Sequence, residues 1–250
     1  MFIKCFDFVG KACFIKRKKL PTNLRTLHKQ VINMENTKVK EYADRLFQRF
    51  PELLSSSESI FNAYSIIENS FFKSGMIFLC GNGGSAADAE HITGELSKGF
   101  LLKRELPEDL RHRMNERLGE NMDDITGKLQ MGLKAMVLST HQSLSTAFTN
   151  DVDPMLCYAQ QLFAMGSEND CIMGITTSGN AENILNAFKV AGGLGMKRIL
   201  LTGVGNGKCA AYADCIIHAP AKETYLVQEY HLPIYHTLCM MIEERFFGKK

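Results

Sequence analysis

His91 and Glu95 stand four residues apart, directly after a glycine-rich segment. This spacing places both side chains on one face of an α-helix, where imidazole and carboxylate groups can bind a metal ion or transfer a proton. The preceding residues 81–85, Gly-Asn-Gly-Gly-Ser, are typical of a turn between a strand and a helix. We expect Ser85 at the N-cap of that helix, where free amides and the helix dipole bind anions. An anion anchor and two reactive side chains are therefore predicted on one element.

A second turn of the same kind follows residues 170–175, an apolar run. It reads Thr-Thr-Ser-Gly-Asn over 176–180 and leads into a helical pattern at 181–191. A lone Gly-x-Gly-Gly also occurs in ordinary connections, but two hydroxyl-rich turns at strand ends of one parallel sheet favour a sugar phosphate. Neither turn continues into Gly-Lys-Ser/Thr, and the dinucleotide spacing is missing, so the P-loop and Rossmann classes are excluded.

The order of apolar runs and helical patterns predicts the fold class. Residues 35–74 are helical in pattern, and Pro51 breaks them into an N-terminal helical pair. Residues 223–247 form a last helix, with Pro233 in its first turn or at a kink. We expect an α/β fold with a doubly wound, parallel five-stranded sheet flanked by helices. The predicted strands are 76–80, 135–139, 171–175, 198–202 and 215–218.

Residues 1–33 differ in charge from the rest of the chain. They carry eight Lys or Arg and one acidic residue, although the whole chain has a net charge of +2. Lys4, Asp7 and Lys11 interrupt the apolar stretch, which argues against a signal peptide and a membrane span. We interpret this basic segment as a disordered or non-native extension, since Met34 begins a sequence typical of a native start.

The remaining residues, 34–250, are predicted to form one domain with a charged insertion at about 101–133. A helix is expected to begin at Leu-Pro-Glu-Asp, 106–109, with the proline at its first position. Two interpretations of the insertion stay open, a solvated surface segment and a lid over the site.

The cysteines indicate a reducing compartment. The eight cysteines are scattered, mostly within apolar runs, and no two form Cys-x-x-Cys. This usage is typical of small buried side chains rather than of disulfides or a zinc ribbon, so we expect a cytoplasmic protein.

Four motifs together resemble a known family. They are Gly-Asn-Gly-Gly-Ser-Ala-Ala-Asp-Ala-Glu-His at 81–91, Asn-Asp at 150–151, Thr-Ser-Gly-Asn at 177–180, and Gln-Glu-Tyr-His at 228–231 with His236. The chain resembles the phosphoheptose isomerases of the sugar isomerase (SIS) fold. The family usually has serine where this chain has alanine, at position 181.

This resemblance implies a homotetrameric enzyme that interconverts sedoheptulose 7-phosphate and D-glycero-D-manno-heptose 7-phosphate, for nucleotide-activated heptose and surface glycan synthesis. It also implies one zinc ion per subunit, no nucleic-acid partner and no membrane. The implied zinc ligands are His91, Glu95, Gln228 and His236. The implied substrate-binding residues are Asn82, Gly83, Gly84, Ser85, Glu95, Asn150, Asp151, Thr176, Thr177, Ser178 and Gln228.

The chemistry of an aldose–ketose exchange agrees with these residue types. The reaction moves a proton between adjacent carbons through an enediol, so it needs a base, an acid and stabilisation of the developing oxyanion. We assign Glu95 as the catalytic base and His236 as the catalytic acid. Zinc either polarises the carbonyl or positions these two side chains, and both roles stay open.

Two other functions are alternatives. One is a non-catalytic SIS protein that binds the replication initiator DnaA, and the other is an isomerase for a different sugar phosphate. The presence of the whole set of implied ligands favours the enzyme. A transcriptional regulator is disfavoured because nothing reads as a helix-turn-helix domain.

Overall fold

The computed structural model describes residues Phe2–Phe6, Ala12–Lys16 and 37–249. The chain divides into two compact units, Met1–Thr37 and Lys38–Lys250. In the first unit, strand β1 (Phe2–Phe6) pairs with strand β2 (Ala12–Lys16) in antiparallel register. Most of the predicted extension, 1–33, lies outside the described residues, and so does the start at Met34. That interpretation stays a prediction.

The second unit begins with the expected helical pair. Helix α1 is Thr37–Arg49, and helix α2 is Ser57–Phe72. A 3₁₀ turn, Pro51–Ser56, separates them, with proline in its first turn where the missing N–H is harmless. The break at Pro51 is therefore confirmed.

The sheet contains five parallel strands in the order β4-β3-β5-β6-β7. They are β3 (Ile77–Gly81), β4 (Ala135–Val137), β5 (Cys171–Ile175), β6 (Lys197–Thr202) and β7 (Cys215–His218). Every residue of β3 and β5 is buried, as expected for strands covered on both faces. The predicted α/β class and parallel sheet are confirmed, and β4 is two residues shorter than expected.

Helices cover both faces of the sheet. The helices after α2 are, in chain order, α3 (Gly84–Ser97), α4 (Glu108–Leu118), α5 (Asp123–Thr126), α6 (Gln142–Asp151), α7 (Cys157–Met165), α8 (Glu182–Gly193) and α9 (Thr224–Phe247). Phe78 and Ile172 pack into one core with Phe188 of α8. Met173, the next residue along β5, lies with Tyr235 of α9 on the other face. This alternation makes the sheet doubly wound.

Two predicted helix positions are wrong, and of the two alternatives for Pro233 only the kink is left. Ser85 is buried inside the first turn of α3, because Gly83 is the N-cap and its φ of 56° turns the chain into the helix two residues earlier. Pro107 is the N-cap of α4 rather than its first residue. Pro233 lies inside α9, well beyond its first turn. Among the described helices, none is both long and apolar enough to cross a membrane.

The insertion at 101–133 carries α4 and α5. None of the described side chains of α4 is buried, which fits its charged sequence. Its two ends meet in a bridge between Glu105 and Gln130, so the insertion is a closed lobe. Whether this lobe is only a surface segment or also a lid stays open.

A buried ion pair fastens the start of this lobe to the last helix. The Arg104 Nε donates to the Glu243 Oε1 at 2.8 Å, and both side chains are almost fully buried. The same carboxylate accepts the backbone N–H groups of Phe100, Leu101 and Leu102 at 2.7 to 3.1 Å. A buried charge needs this many partners because it has lost its water.

We predict that Glu243→Gln lowers the free energy of unfolding by about 3 kcal/mol or more, because it leaves the Arg104 charge buried without its counter-ion. The matched control is Asp109→Asn, which breaks the exposed Arg113–Asp109 pair on α4 and costs about 1 kcal/mol or less. Urea unfolding of both variants measures the difference. Equal losses of unfolding free energy in the two variants would show that the buried pair stabilises the protein no more than the exposed pair does.

Candidate active site

The first predicted turn links the end of β3 to α3. A Cβ on Gly81 would stand 2.3 Å from the Ser85 carbonyl oxygen, so only glycine lets the helix begin so close to the strand. Gly83 has open space around it and takes a positive φ. The turn therefore exposes backbone at the positive end of α3, as an anion site requires.

An amide pair joins this turn to the start of α8. The Asn82 Nδ2 donates to the Asn183 Oδ1 at 3.0 Å, and the Asn183 Nδ2 donates to the Asn82 Oδ1 at 2.9 Å. The Tyr158 hydroxyl donates to the Gly81 carbonyl oxygen at 2.7 Å and also lies 3.2 Å from the Asn82 Oδ1. Sequence reasoning missed Asn183 and Tyr158, because nothing local marks either as a partner of Asn82.

The second turn stands beside the first. The strand register pairs Gly81 with Ile175, so both turns leave the sheet at the same level. Thr176 is buried, Ser178 is exposed, and the Ser178 Oγ accepts the Asn180 N–H at 3.2 Å. Two neighbouring strands thus present hydroxyl groups and turn backbone at one edge of the sheet, which is where parallel α/β folds bind ligands.

Helices α3 and α9 bring the reactive side chains together. The His91 Nε2 lies 3.3 Å from the Glu95 Oε1, and it lies 3.4 Å from the His236 Nε2 of α9. Burial lowers the pKa of His236, and the His91 imidazole lowers it further against the opposing effect of the Glu95 carboxylate. Burial and the His91 imidazole thus favour the neutral form of His236, which is the form that binds metals.

The distances among His91, Glu95 and His236 meet part of the geometry that a bound cation requires. Ligands about 2.0 to 2.1 Å from a tetrahedral zinc ion are about 3.3 to 3.4 Å apart, which matches both contacts of the His91 Nε2. Within the described residues, however, no three His, Cys, Asp or Glu side chains are already arranged to hold a metal ion. The two close pairs share His91, so a complete site requires the Glu95 and His236 side chains to adjust.

Gln228 is not brought to this cluster. Its side-chain amide packs on Gly84, where an added Cβ would lie 2.6 Å from the Gln228 Nε2. Gln228 precedes His236 by eight residues in α9, and such a separation corresponds to about 12 Å along a helix. Gln228 therefore lies beside the first turn, near the predicted phosphate anchor.

Asn150 and Asp151 end α6 and are exposed. The Asn150 Nδ2 donates to the Asp151 Oδ1 at 2.8 Å. No hydrogen bond or ion pair found among the described residues joins either side chain to the two turns or to the histidine cluster. The structure of one chain therefore does not bring these two predicted residues to the others.

Three other histidines have structural surroundings. His231 is fully buried in α9, and burial lowers its pKa to about 4. The His218 Nδ1 lies 2.7 Å from the Gly203 carbonyl oxygen. The His141 side chain accepts the Leu144 N–H at the start of α6. None of these contacts places a histidine in the cluster around His91.

Comparisons with known proteins show the family to which the chain is similar. Two family models, both described as SIS domain, match residues 40–127 and 135–241. A phosphoheptose isomerase of Helicobacter pylori (strain P12) is 33% identical over 210 residues, which cover 84% of this chain and 93% of that protein. One from Aneurinibacillus thermoaerophilus is 37% identical over 174 residues, covering 70% of this chain and 75% of that protein.

Solved structures show the same likeness. A phosphoheptose isomerase from Francisella tularensis matches with a TM-score of 0.64 and 27% identity, covering 83% of this chain and 97% of the other. One from Neisseria gonorrhoeae matches with a TM-score of 0.61 and 27% identity, covering 89% of this chain and 97% of the other. The residues matched by the family models include both turns and most of α9.

We predict that Gly84→Ala weakens sugar phosphate binding about tenfold, because the new methyl group displaces the amide of Gln228, a predicted substrate-binding residue. The fold should persist, since the displaced atoms end a flexible side chain. Gly94→Ala on the same helix is the control, because nothing lies within 4 Å of its added Cβ. It should leave binding unchanged and stabilise the protein by about 0.5 to 1 kcal/mol. Calorimetry with sedoheptulose 7-phosphate checks this, and equal affinities for the two variants would contradict it.

Proposed function

The chain belongs to the SIS domain family, and on that premise we propose that it is a phosphoheptose isomerase. The proposed reaction interconverts sedoheptulose 7-phosphate and D-glycero-D-manno-heptose 7-phosphate, toward nucleotide-activated heptose for surface glycans. Relatives that carry this enzyme name are 33 to 37% identical to the chain. The observation that carries the proposal is that Glu95 and His236 both lie beside His91. His91 and Glu95 are on the helix that begins at the first turn, and His236 is on α9.

The two turns are proposed to hold the phosphate. Ser178 and Thr177 supply hydroxyl groups, and the start of α3 supplies the dipole and backbone amides. From Gly84 to His91 the helix rises about 10 Å, which is the span of an extended seven-carbon sugar together with its phosphate. A substrate with its phosphate on the turns would therefore reach the cluster with its opposite end, where carbons 1 and 2 react.

Glu95 and His236 are proposed to move the protons. Glu95 removes a proton from carbon 1 of the ketose while His236 protonates the oxygen on carbon 2, which forms the enediol. Glu95 then returns a proton to carbon 2, and His236 accepts the proton from the oxygen on carbon 1. The aldose forms with no net change in protons or electrons.

One zinc ion per subunit is part of the proposal. His91, Glu95 and His236 would hold it, and the resemblance to the family adds Gln228. When bound, zinc would polarise the substrate carbonyl as a Lewis acid and stabilise the developing oxyanion. The two contacts of the His91 Nε2 support this assignment by their spacing.

We further propose a homotetramer. Large apolar side chains are strongly exposed on the single chain, including Val152, Phe163 and Tyr225, each more than 60% exposed. Val152 directly follows Asp151, so a subunit contact at this surface would carry Asn150 and Asp151 toward a neighbouring site. This arrangement would explain why one chain alone leaves both residues away from the turns.

We infer a cytoplasmic location as well. Cys80, Cys157, Cys171, Cys209, Cys215 and Cys239 are all free and buried in the described part of the chain. Unpaired buried thiols are typical of a reducing compartment and support this inference.

The direct test is incubation of the zinc-loaded protein with sedoheptulose 7-phosphate. Proton NMR then follows the signal of the anomeric proton of the aldose. The expected result is a new anomeric signal that grows to equilibrium and is absent from a reaction without protein. If no signal appears while sedoheptulose 7-phosphate binds, the proposed isomerase is wrong, and a non-catalytic binding protein is favoured. Conversion of another sugar phosphate alone would correct the substrate.

We predict that Glu95→Gln and His236→Asn each lower kcat about 100-fold or more, because each removes a positioned acid or base. Ser178→Ala should mainly raise KM, because Ser178 lies on the phosphate side. Glu90→Gln is the control, since Glu90 is exposed on the same helix. Metal content is measured for every variant, because loss of zinc would imitate loss of proton transfer. Near-normal kcat in both site variants with metal bound would contradict the assigned roles.

A further inference from the structure

Tyr235 of α9 touches both sides of the proposed metal cluster without being one of its predicted members. Its side chain is almost fully buried. The Tyr235 hydroxyl lies 3.2 Å from the Asp88 Oδ1 and 3.1 Å from the His91 Nδ1. Its ring meets the rings of His91 and His236 edge to face, with centroids 5.5 and 5.0 Å apart. Tyr235 therefore contacts the nitrogen of His91 that points away from Glu95.

The hydrogen-bond donors at this hydroxyl determine the tautomer of His91. An ionised carboxylate only accepts hydrogen bonds, so the single Tyr235 hydroxyl proton is donated to Asp88. The Tyr235 oxygen then acts as acceptor toward His91, and the proton of that contact must belong to the His91 Nδ1. A neutral imidazole with a proton on Nδ1 has none on Nε2.

The resulting lone pair on the His91 Nε2 points into the cluster. That atom faces the Glu95 Oε1 at 3.3 Å and the His236 Nε2 at 3.4 Å. A carboxylate oxygen and an unprotonated nitrogen repel each other unless a cation or a proton lies between them. The tautomer that Tyr235 selects is therefore the one that a metal ligand needs.

We propose that Tyr235 is a positioning residue whose hydroxyl, held by Asp88, keeps His91 in the Nδ1–H tautomer and so leaves its Nε2 free to bind a metal ion. This inference rests on the proposed function, because it takes His91 as a zinc ligand. It adds two members, Tyr235 and Asp88, that touch neither the reacting carbons nor the metal.

The hydroxyl can be removed with little other change. The Tyr235 ring is packed among apolar side chains, including Ile92, Met173 and Leu238. Phenylalanine fills the same space, so Tyr235→Phe isolates the hydroxyl. The matched control is Tyr64→Phe, since Tyr64 is also buried and its hydroxyl donates to a carboxylate, Glu68, at 3.0 Å.

The test uses ¹⁵N NMR of metal-free protein at pH 8 to determine which ring nitrogen of His91 carries the proton. The zinc affinity of each variant is then measured. In the unchanged protein and in Tyr64→Phe, we expect the His91 Nδ1 protonated and the Nε2 unprotonated. In Tyr235→Phe, we expect the proton to move partly to Nε2 and zinc affinity to fall about 10- to 100-fold. A buried tyrosine with a purely structural role would change neither the tautomer nor the affinity.

Either of two results would overturn the positioning role of Tyr235, independently of the isomerase assay. A His91 Nε2 that is protonated in the unchanged protein, or an unchanged zinc affinity in Tyr235→Phe, overturns the positioning role. The NMR measurement uses neither substrate nor metal, so it gives this answer whether or not the chain isomerises a heptose phosphate. Failure of the isomerase assay would therefore contradict the proposed function. A His91 protonated on Nε2 in the unchanged protein would contradict this inference.

Discussion

The side-by-side packing of α3 and α9 is the contact on which the whole candidate site depends. Both helices run in the same direction, because Gly84 meets Gln228 near their starts and His91 meets His236 further along. Glu95 lies eleven positions after the first helical residue of α3, which gives the two helices room for an anchor at one end and reactive groups beyond it. A shift of one helix along the other would separate all of these contacts at once.

Polar contacts hold this packing in register at its far end. At the far end, the Arg104 guanidinium donates to the carbonyl oxygens of Glu95 and Leu96 while it pairs with Glu243 of α9. These bonds satisfy carbonyl groups at the end of α3 that have no partner within the helix. The charged insertion thus contributes one buried residue that ties the segment carrying Glu95 to α9, although α4 remains at the surface.

The sequence predicted the elements whose signals are local. Strands Cys171–Ile175 and Cys215–His218 were placed to the residue, because each is an apolar run bounded by polar turn residues. The spacing of His91 and Glu95 correctly placed both on one helical face. Ser85 was misassigned as a cap, because the positive φ of Gly83 cannot be read from residue types alone.

What the sequence could not predict depends on residues far apart in the chain. The Asn82–Asn183 pair joins residues 101 positions apart, and the Arg104–Glu243 pair joins residues 139 positions apart. Each exists only because the sheet and helices bring those segments together. The position of Gln228 beside Gly84 likewise follows from the register of two helices, which periodicity does not determine.

We propose that the α3–α9 contact builds a metal centre beside a phosphate anchor. Crystals of the zinc-loaded protein, measured on both sides of the zinc absorption edge, test it most directly. The account predicts one anomalous peak per chain within bonding distance of the His91 Nε2, the His236 Nε2 and a Glu95 carboxylate oxygen. A fully occupied peak elsewhere in the chain, with these three side chains bound to no metal, would contradict it.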